Sequence, residues 1–149
     1  MPRPGHDAVL LVTGFPSLYA RTMIEHHAVE TYPHECCGGL YGEFADGVFT
    51  VVEAVAFPNT TSEGPRRRFL IQPSDYRAAE AHARVTQRGL IGFYHSHPDH
   101  PAQPSQYDLD HAWPNMLYTI TSVREGRVEI TTAWQLREDR SRFDERSIE

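Results

Sequence analysis

The segment from Leu90 to Asp108 constrains the fold of this chain more than any other. It opens with Leu90-Ile91-Gly92-Phe93-Tyr94, and Pro98 follows four positions after that apolar and aromatic run. A short run of this kind is typical of a buried strand. Because proline has no backbone N–H, Pro98 cannot donate to a strand ladder. The segment therefore predicts a buried strand that ends at His97 and a chain that leaves the sheet at once.

Two histidines close this predicted strand. Side chains alternate across a strand, so His95 and His97 should point to one face while Ser96 points to the other. Histidines two positions apart on a strand are, taken alone, more often surface polar groups than metal ligands. The residues that follow them, Pro98, Ser105 and Asp108, reverse that balance.

The polar segment after Pro98 leads into a predicted helix that begins after Ser105. Ser105 and Asp108 have capping-box spacing, although that box prefers Glu or Gln at its last position. In the first turn, a carboxylate is favoured by the positive end of the helix and can face the strand end. Two imidazoles and one carboxylate give three protein ligands, and catalytic zinc sites keep their fourth position for water. The pattern predicts an open catalytic zinc site.

A zinc-bound water also needs a proton acceptor, and Glu35 is the candidate. It lies where a predicted helix exit leads into the glycine-punctuated apolar strand that starts at Gly39. A carboxylate at that place would lie against the sheet, partly desolvated and suited to general acid/base work. On chemistry alone, other acids of the chain remain alternatives.

These residues together resemble the JAMM (MPN-plus) metallopeptidase family. The shared pattern is His-x-His-Pro, six residues, then Ser-x-x-Asp, preceded by Glu-x-x-Gly-x-Leu-x-Gly beginning at Glu35. The resemblance runs from about Leu18 to Leu136. It implies that His95, His97 and Asp108 hold one Zn²⁺ with a bound water. It further implies that Glu35 is the acid/base and that Ser105 donates a hydrogen bond to the tetrahedral intermediate.

The amino-acid sequence of the motif is most similar to that of short bacterial members of the family. Those members act on ubiquitin-like sulfur-carrier proteins of the ThiS and MoaD type and cut after a C-terminal Gly-Gly. The resemblance thus implies a zinc metallopeptidase or isopeptidase that releases cysteine or a short extension from such a carrier. Two alternatives differ in class: a non-catalytic MPN-type binding scaffold, and a zinc deaminase. The deaminase pattern, His-x-Glu with a later Pro-Cys-x-x-Cys, does not occur in the chain.

Strand and helix patterns interleave along the chain, which predicts a single α/β (α+β) domain. The residue patterns predict a helix near 17–30, a hairpin joining 39–44 to 48–57, a helix near 74–87 ended by Gly89, and strands at 116–122 and 127–136. The resemblance implies a curved mixed β-sheet flanked by helices, similar to the cytidine deaminase-like architecture. We expect the metallopeptidase domain to span residues 1–136 and residues 137–149 to form a charged, frayed tail.

Composition limits the binding partners and the cellular location that we expect for this protein. The formal charge of −6 is unfavourable for nucleic-acid binding without a local basic patch. Arg66-Arg67-Arg68 is interpreted as a solvated loop, with contact to an acidic partner as the alternative. We expect no nucleic acid and no membrane among the partners, because no apolar run spans a bilayer. The N-terminus lacks a signal-peptide pattern and the only cysteines, Cys36 and Cys37, are adjacent, so we expect a cytoplasmic location. The oligomeric state is left open.

Overall fold

The computed structural model describes residues 11–13, 18–58, 71 and 73–148. The Arg66–Arg68 run lies outside these residues. In chain order the elements are β1 Leu11–Thr13, α1 Leu18–Thr31, β2 Cys37–Ala45, β3 Val48–Phe57, α2 Pro73–Thr86, β4 Gly89–Pro98, α3 Gln106–His111, β5 Leu117–Arg124, β6 Arg127–Leu136 and β7 Phe143–Ile148. Within the described residues, no helix is both long and apolar enough to cross a membrane.

The strands form one mixed sheet in the order β1-β3-β2-β4-β5-β6-β7. β4 and β5 pair in parallel, whereas β2 pairs antiparallel with β3 and β4, and β6 with β5 and β7. β1 pairs in parallel with both β3 and β7, so the sheet closes into a barrel. The predicted α+β class and curved mixed sheet are confirmed. The closure was not predicted.

Two tight turns set the registers of the outer hairpins. Asp46 and Gly47 connect β2 to β3 with φ angles of 53° and 77°, and Glu125 and Gly126 connect β5 to β6 with 51° and 81°. Two consecutive residues at positive φ are the signature of a type I′ turn, whose twist matches that of the flanking strands. The hairpin predicted between residues 44 and 48 is therefore confirmed. At the end of α2, by contrast, Gln87 rather than Gly89 takes the left-handed conformation, at φ 59°.

The two faces of the sheet bury different sets of side chains. On one face, called the α1 face, Ala20, Ile24 and Ala28 of α1 pack with Phe49 and Tyr94. On the other, called the site face, the buried set contains Cys37, Phe93, Tyr118 and Leu136 together with Ala79 of α2. β4 lies between them and contributes to both, because its side chains alternate.

The prediction of a frayed tail at residues 137–149 is wrong. Residues 143–148 form β7, which pairs with β6 over Leu136↔Phe143 to Ala133↔Arg146 and also with β1. Arg137 Nε donates to Asp144 Oδ2 at 2.9 Å, and Arg146 donates to Gln135 Oε1 at 3.1 and 3.2 Å. Phe143 packs in the site-face cluster and Ile148 against the α1-face cluster. The charged residues are thus cross-strand partners between two apolar anchors.

Candidate metal centre

Three side chains meet at the end of β4 and the start of α3. His95 and His97 are 1 % and 8 % exposed, and Asp108 is 9 % exposed. The two Nε2 atoms lie 3.2 Å apart, and Asp108 Oδ2 lies 3.4 Å from each of them. Within the described part of the chain, they form the cluster of histidine, cysteine and acidic residues able to hold a metal ion. The three residues predicted as ligands are therefore brought together.

The separations of these donor atoms fit a tetrahedral ion. With metal–ligand distances of about 2.0–2.2 Å, adjacent donors in a tetrahedral zinc site lie roughly 3.3–3.6 Å apart. The observed separations of 3.2 and 3.4 Å are close to this range. Two imidazoles and one carboxylate also match the donor types that zinc accepts in catalytic sites. The residues present fit one such ion.

The ring of His97 is oriented by the loop that follows β4. His97 Nδ1 lies 2.8 Å from the carbonyl oxygen of Pro101. Because a carbonyl can only accept, Nδ1 carries the hydrogen of this bond, which leaves the lone pair of a neutral ring on Nε2. This is the tautomer that a metal ligand needs, and the carbonyl supplies the outer hydrogen bond that such ligands usually have.

Asp108 is held in place by the helix cap that the sequence predicted. The Asp108 N–H donates to Ser105 Oγ at 3.1 Å, and the Ser105 N–H donates to Asp108 Oδ2 at 2.8 Å, so both bonds of a capping box are present. The aspartate substitutes for the usual Glu or Gln. One carboxylate oxygen thus closes the cap and faces both histidines.

The protonation states suit a cation site. Burial alone would raise the pKa of Asp108, but the interaction with His95 and the hydrogen bond from the Ser105 N–H hold it well below its usual range. Burial lowers the pKa of His95, despite the opposing effect of Asp108. The site therefore holds an ionised carboxylate beside a neutral imidazole.

The loop after β4 is fixed by side chains from three strands. The carbonyl oxygens of three consecutive residues accept hydrogen bonds: His100 from Ser122 Oγ at 2.7 Å, Pro101 from His97 Nδ1 at 2.8 Å, and Ala102 from Thr132 Oγ1 at 2.6 Å. These bonds tie the orientation of His97 to β5 and β6.

Asp99 anchors the first residue of the same loop. The Asp99 side chain is exposed. It also accepts from Tyr32 OH at 2.6 Å and from the Glu125 N–H at 3.0 Å. These two hydrogen bonds lower the pKa of Asp99. Its carboxylate therefore braces the loop.

Glu35 directly precedes Cys36, whose backbone is hydrogen-bonded to the strand that carries the two histidines. The Ser96 N–H donates to the Cys36 carbonyl at 3.1 Å, and the Cys36 N–H donates to Ser96 Oγ at 2.9 Å. Ser96 is the residue between the two histidines, so the backbone preceding β2 is pinned to the ligand-bearing segment. Glu35 itself is 3 % exposed. This burial agrees with the expected desolvation of the carboxylate, while its role as acid/base stays a prediction.

A cleft next to the donor atoms was missed by the sequence analysis. It has a volume of about 150 Å³, and His95 and Asp108 form part of its lining. We call it the apolar cleft, because its described lining is mostly apolar and includes Ile71, Tyr107, Trp113, Tyr118, Ile120 and Phe143. His111 also lines it and stacks on Tyr107 at a ring distance of 4.0 Å. No local pattern could have found a cleft assembled from residues 71 to 143.

Comparisons with known proteins place this geometry in a family. Residues 18–137 match the family described as prokaryotic homologs of the JAB domain. Desampylase from Haloferax volcanii is 33% identical over 114 residues, which cover 73% of this chain and 79% of that protein. Tail tip assembly protein K of Escherichia phage N15 is 35% identical over 101 residues. That match covers 67% of this chain but only 37% of the phage protein, so this chain spans little more than a third of it.

A solved structure supports the fold independently. The crystal structure of a JAB1/MPN domain protein from Archaeoglobus fulgidus superposes with a TM-score of 0.52 at 17% identity, over 96% of this chain and 99% of that one. At this identity the likeness concerns the fold alone. The family match covers residues 18–137, and the desampylase match covers 73% of this chain. This chain therefore belongs to the prokaryotic homologs of the JAB domain, as its JAMM-like motif indicated.

Proposed function

We propose that this protein is a zinc-dependent peptidase that hydrolyses the amide bond after the C-terminal Gly-Gly of a small ubiquitin-like protein. The observation that carries the proposal is the convergence of His95 Nε2, His97 Nε2 and Asp108 Oδ2 at 3.2–3.4 Å. Three protein donors leave a position for water, as catalytic zinc sites do. Similarity to a desampylase supports isopeptidase activity on a ubiquitin-like substrate. When bound here, a zinc ion would lower the pKa of its water and polarise the scissile carbonyl.

Glu35 is the proposed proton carrier. In this role its carboxylate accepts a proton from the attacking water and returns it to the departing amine. The near-complete burial of Glu35 and the hydrogen bonds that pin Cys36 to Ser96 support this role, because a general base must be held in a fixed place. Proton transfer by a positioned side chain commonly contributes about 10²–10⁴-fold to a rate.

Ser105 is the proposed donor to the developing oxyanion. Its Oγ already accepts the Asp108 N–H at 3.1 Å, so its own hydroxyl hydrogen remains available to donate. The cap also fixes where the hydroxyl stands, which is the preorganisation that oxyanion stabilisation requires. Removing one such donor commonly costs roughly 3 kcal/mol of transition-state stabilisation.

A Gly-Gly tail suits the burial of the donor atoms. With His95, His97 and Asp108 at most 9 % exposed, only a slender segment of backbone can bring its carbonyl to them. Glycine has no side chain to obstruct such an approach. We therefore propose a sulfur carrier of the ThiS or MoaD type, bearing cysteine or a short extension after Gly-Gly, as the substrate.

The decisive experiment uses the purified chain with a ThiS- or MoaD-type carrier extended beyond Gly-Gly. We expect cleavage that stops with a chelator and returns when zinc is restored. Glu35→Gln should keep zinc and lose about 10²–10⁴-fold in turnover. Glu43→Gln, the same change at an exposed position of β2, is the matched control and should cleave normally. Full turnover by Glu35→Gln would remove Glu35 from the mechanism.

The alternative is a non-catalytic scaffold, which the name of the phage relative keeps open because it denotes an assembly protein. Stoichiometric zinc binding without cleavage of any extended carrier would favour that alternative. Chelator-sensitive cleavage would exclude it.

A further inference from the structure

The apolar cleft has the size and lining of a binding pocket for a side chain. An apolar cavity of about 150 Å³ is large enough to hold a benzene-sized group. Tyr118 and Ile120 form buried parts of its lining. They pair in parallel register with Phe93 and His95, so they project from the same face of the sheet as the metal donors. The cleft and the donor set are therefore continuous.

Trp113 is a fixed wall of this cleft rather than a mobile surface residue. Its ring contacts Phe93 edge-on at a centroid distance of 5.4 Å and Tyr76 at 4.6 Å. Its backbone N–H donates to Tyr118 OH at 2.8 Å. The side chain nevertheless remains 39 % exposed. A held but exposed aromatic ring contacts a ligand at low entropic cost, which is the character of a binding anchor.

The charges around the cleft favour an apolar occupant. In the described part of its lining the one carboxylate is Asp108, whose Oδ2 already faces His95, His97 and the Ser105 N–H. His111 Nδ1 donates to the carbonyl of Tyr107 at 2.9 Å. Among the lining residues that the structure describes, none is an arginine or a glutamate. Against these described residues, a charged side chain entering the cleft would lose hydration without gaining an ion pair with an arginine or glutamate, which is unfavourable.

The proposed function indicates which part of the substrate can reach this cleft. On the acyl side of the scissile bond, a Gly-Gly tail has no side chain in its last two residues. Each residue extends a chain by roughly 3.3–3.6 Å, so the nearest acyl-side side chain lies about 7 Å or more from the reacting carbon. The cleft shares His95 and Asp108 with the donor set itself. The first residue on the amine side is therefore the one whose side chain can fill it.

We propose that the apolar cleft is a specificity pocket for an apolar side chain on the first residue after Gly-Gly, with Trp113 and Ile71 as selecting residues. This inference rests on the proposed function. It assigns the leaving group as a residue of the size and polarity of leucine or phenylalanine, joined through its α-amino group.

The test compares carriers that differ only in the residue after Gly-Gly: Leu, Phe, Ala or Asp. We would measure kcat/KM with the zinc-loaded protein, and Kd with zinc-loaded Glu35→Gln, which gives binding without turnover. For Leu and Phe, kcat/KM should be about tenfold or more higher than for Ala and Kd about tenfold or more lower, since a pocket of this kind discriminates by about 10–200-fold. Asp should rank below Ala.

Two variants locate the selectivity. Trp113→Ala should abolish the preference for Leu over Ala, whereas Phe44→Ala should leave it unchanged. Phe44 is a matched control because it is an exposed aromatic, 47 % accessible, at the opposite end of β2 from Cys37. Ile71→Arg should reverse the ranking of Leu and Asp by placing a cation in the cleft. Ile71 lies outside the helices and strands, so this variant decides the matter even if Trp113→Ala fails to fold.

The outcomes separate the two proposals. Equal kcat/KM and Kd for all four carriers would overturn the pocket while leaving zinc-dependent cleavage intact. Graded Kd values that respond to Ile71→Arg, with no cleavage of any carrier, would support the pocket and overturn the peptidase. A preference that persists in Ile71→Arg would also overturn the pocket.

Discussion

On the α1 face of β4, Tyr94 and Ser96 each bond to one fixed neighbour, whereas on the site face His95 and His97 converge with Asp108 on a single point. Tyr94 OH lies 2.8 Å from His27 Nδ1, and Ser96 Oγ accepts the Cys36 N–H at 2.9 Å. Both faces therefore bury polar groups within one ten-residue strand. The two faces differ in how many potential metal-binding atoms converge on one point.

This difference teaches how to distinguish a structural polar group from a functional one. Burial lowers the pKa of His27 on the α1 face just as it lowers that of His95 on the site face. Burial and a shifted pKa are thus common to both residues. Only His95 has a second imidazole and a carboxylate within 3.4 Å of the same nitrogen. Convergence on an open position is the feature that predicts chemistry.

The contrast between the two faces would be wrong if His95 could be replaced without any loss of metal binding. His95→Ala deletes one of three donors, so zinc affinity should fall by more than the 10–100-fold that loss of an outer hydrogen bond to a ligand commonly costs. Peptidase activity should become undetectable. Competition with a chromogenic zinc chelator gives the affinity.

The control for His95→Ala is its neighbour on the other face. Ser96→Ala leaves the Cys36 N–H without its acceptor, which should cost about 1–3 kcal/mol in the free energy of unfolding. It should still bind one zinc ion. Native zinc affinity in His95→Ala would show that the three donors do not act together.

The α1 face should respond in the opposite way. Ile24 is buried in the α1-face cluster, so Ile24→Ala should lower the free energy of unfolding by about 2–5 kcal/mol. The folded protein should keep its zinc affinity, because none of the three proposed metal-binding atoms lies on the α1 face. Urea denaturation and zinc competition on the same sample measure both quantities.

Val29→Ala is the matched control within α1. Val29 is 42 % exposed, and exposed substitutions usually change stability by less than about 0.5 kcal/mol. If Ile24→Ala weakened zinc binding as strongly as His95→Ala, the two faces would not be separable.

The donor set could be predicted because two local rules determine it. Strand alternation puts His95 and His97 on one face, and the cap from Ser105 positions Asp108. Both rules act within a few residues, so the spacing of the sequence is sufficient. The β2–β3 and β5–β6 turns were predictable for the same reason, since each depends on one acid–glycine pair.

The features that escaped prediction depend on distant contacts. β7 contains Asp144, Glu145 and Arg146, and locally such a composition indicates a solvated tail. It becomes a strand because β6 and β1 offer the edges with which it pairs, and this pairing closes the barrel. The apolar cleft likewise joins Ile71 to Phe143 across half the chain. Spacing within the sequence carries no information on such pairings.

The smallest expected effect concerns two adjacent cysteines, one on each face. Cys36 belongs to the α1-face cluster and Cys37 to the site-face cluster. Burial raises the pKa of Cys36 to about 11 and raises that of Cys37 even further. Since the thiolate is the reactive form, only about one Cys36 side chain in 1,000 would be ionised at pH 8. Neither thiol should react with iodoacetamide over hours in the zinc-loaded protein.

Removing zinc should sharpen the contrast between these two thiols. Bound metal stabilises the folded site face by mass action, so chelation should increase local opening there first. With single-cysteine variants, Cys36→Ala and Cys37→Ala, mass spectrometry can follow each remaining thiol separately. We expect Cys37 to be labelled faster after chelation while Cys36 stays unreactive, and both to react in urea. Equal acceleration of both thiols would mean that the two faces open as one cooperative unit, and the distinction between them would then concern chemistry but not stability.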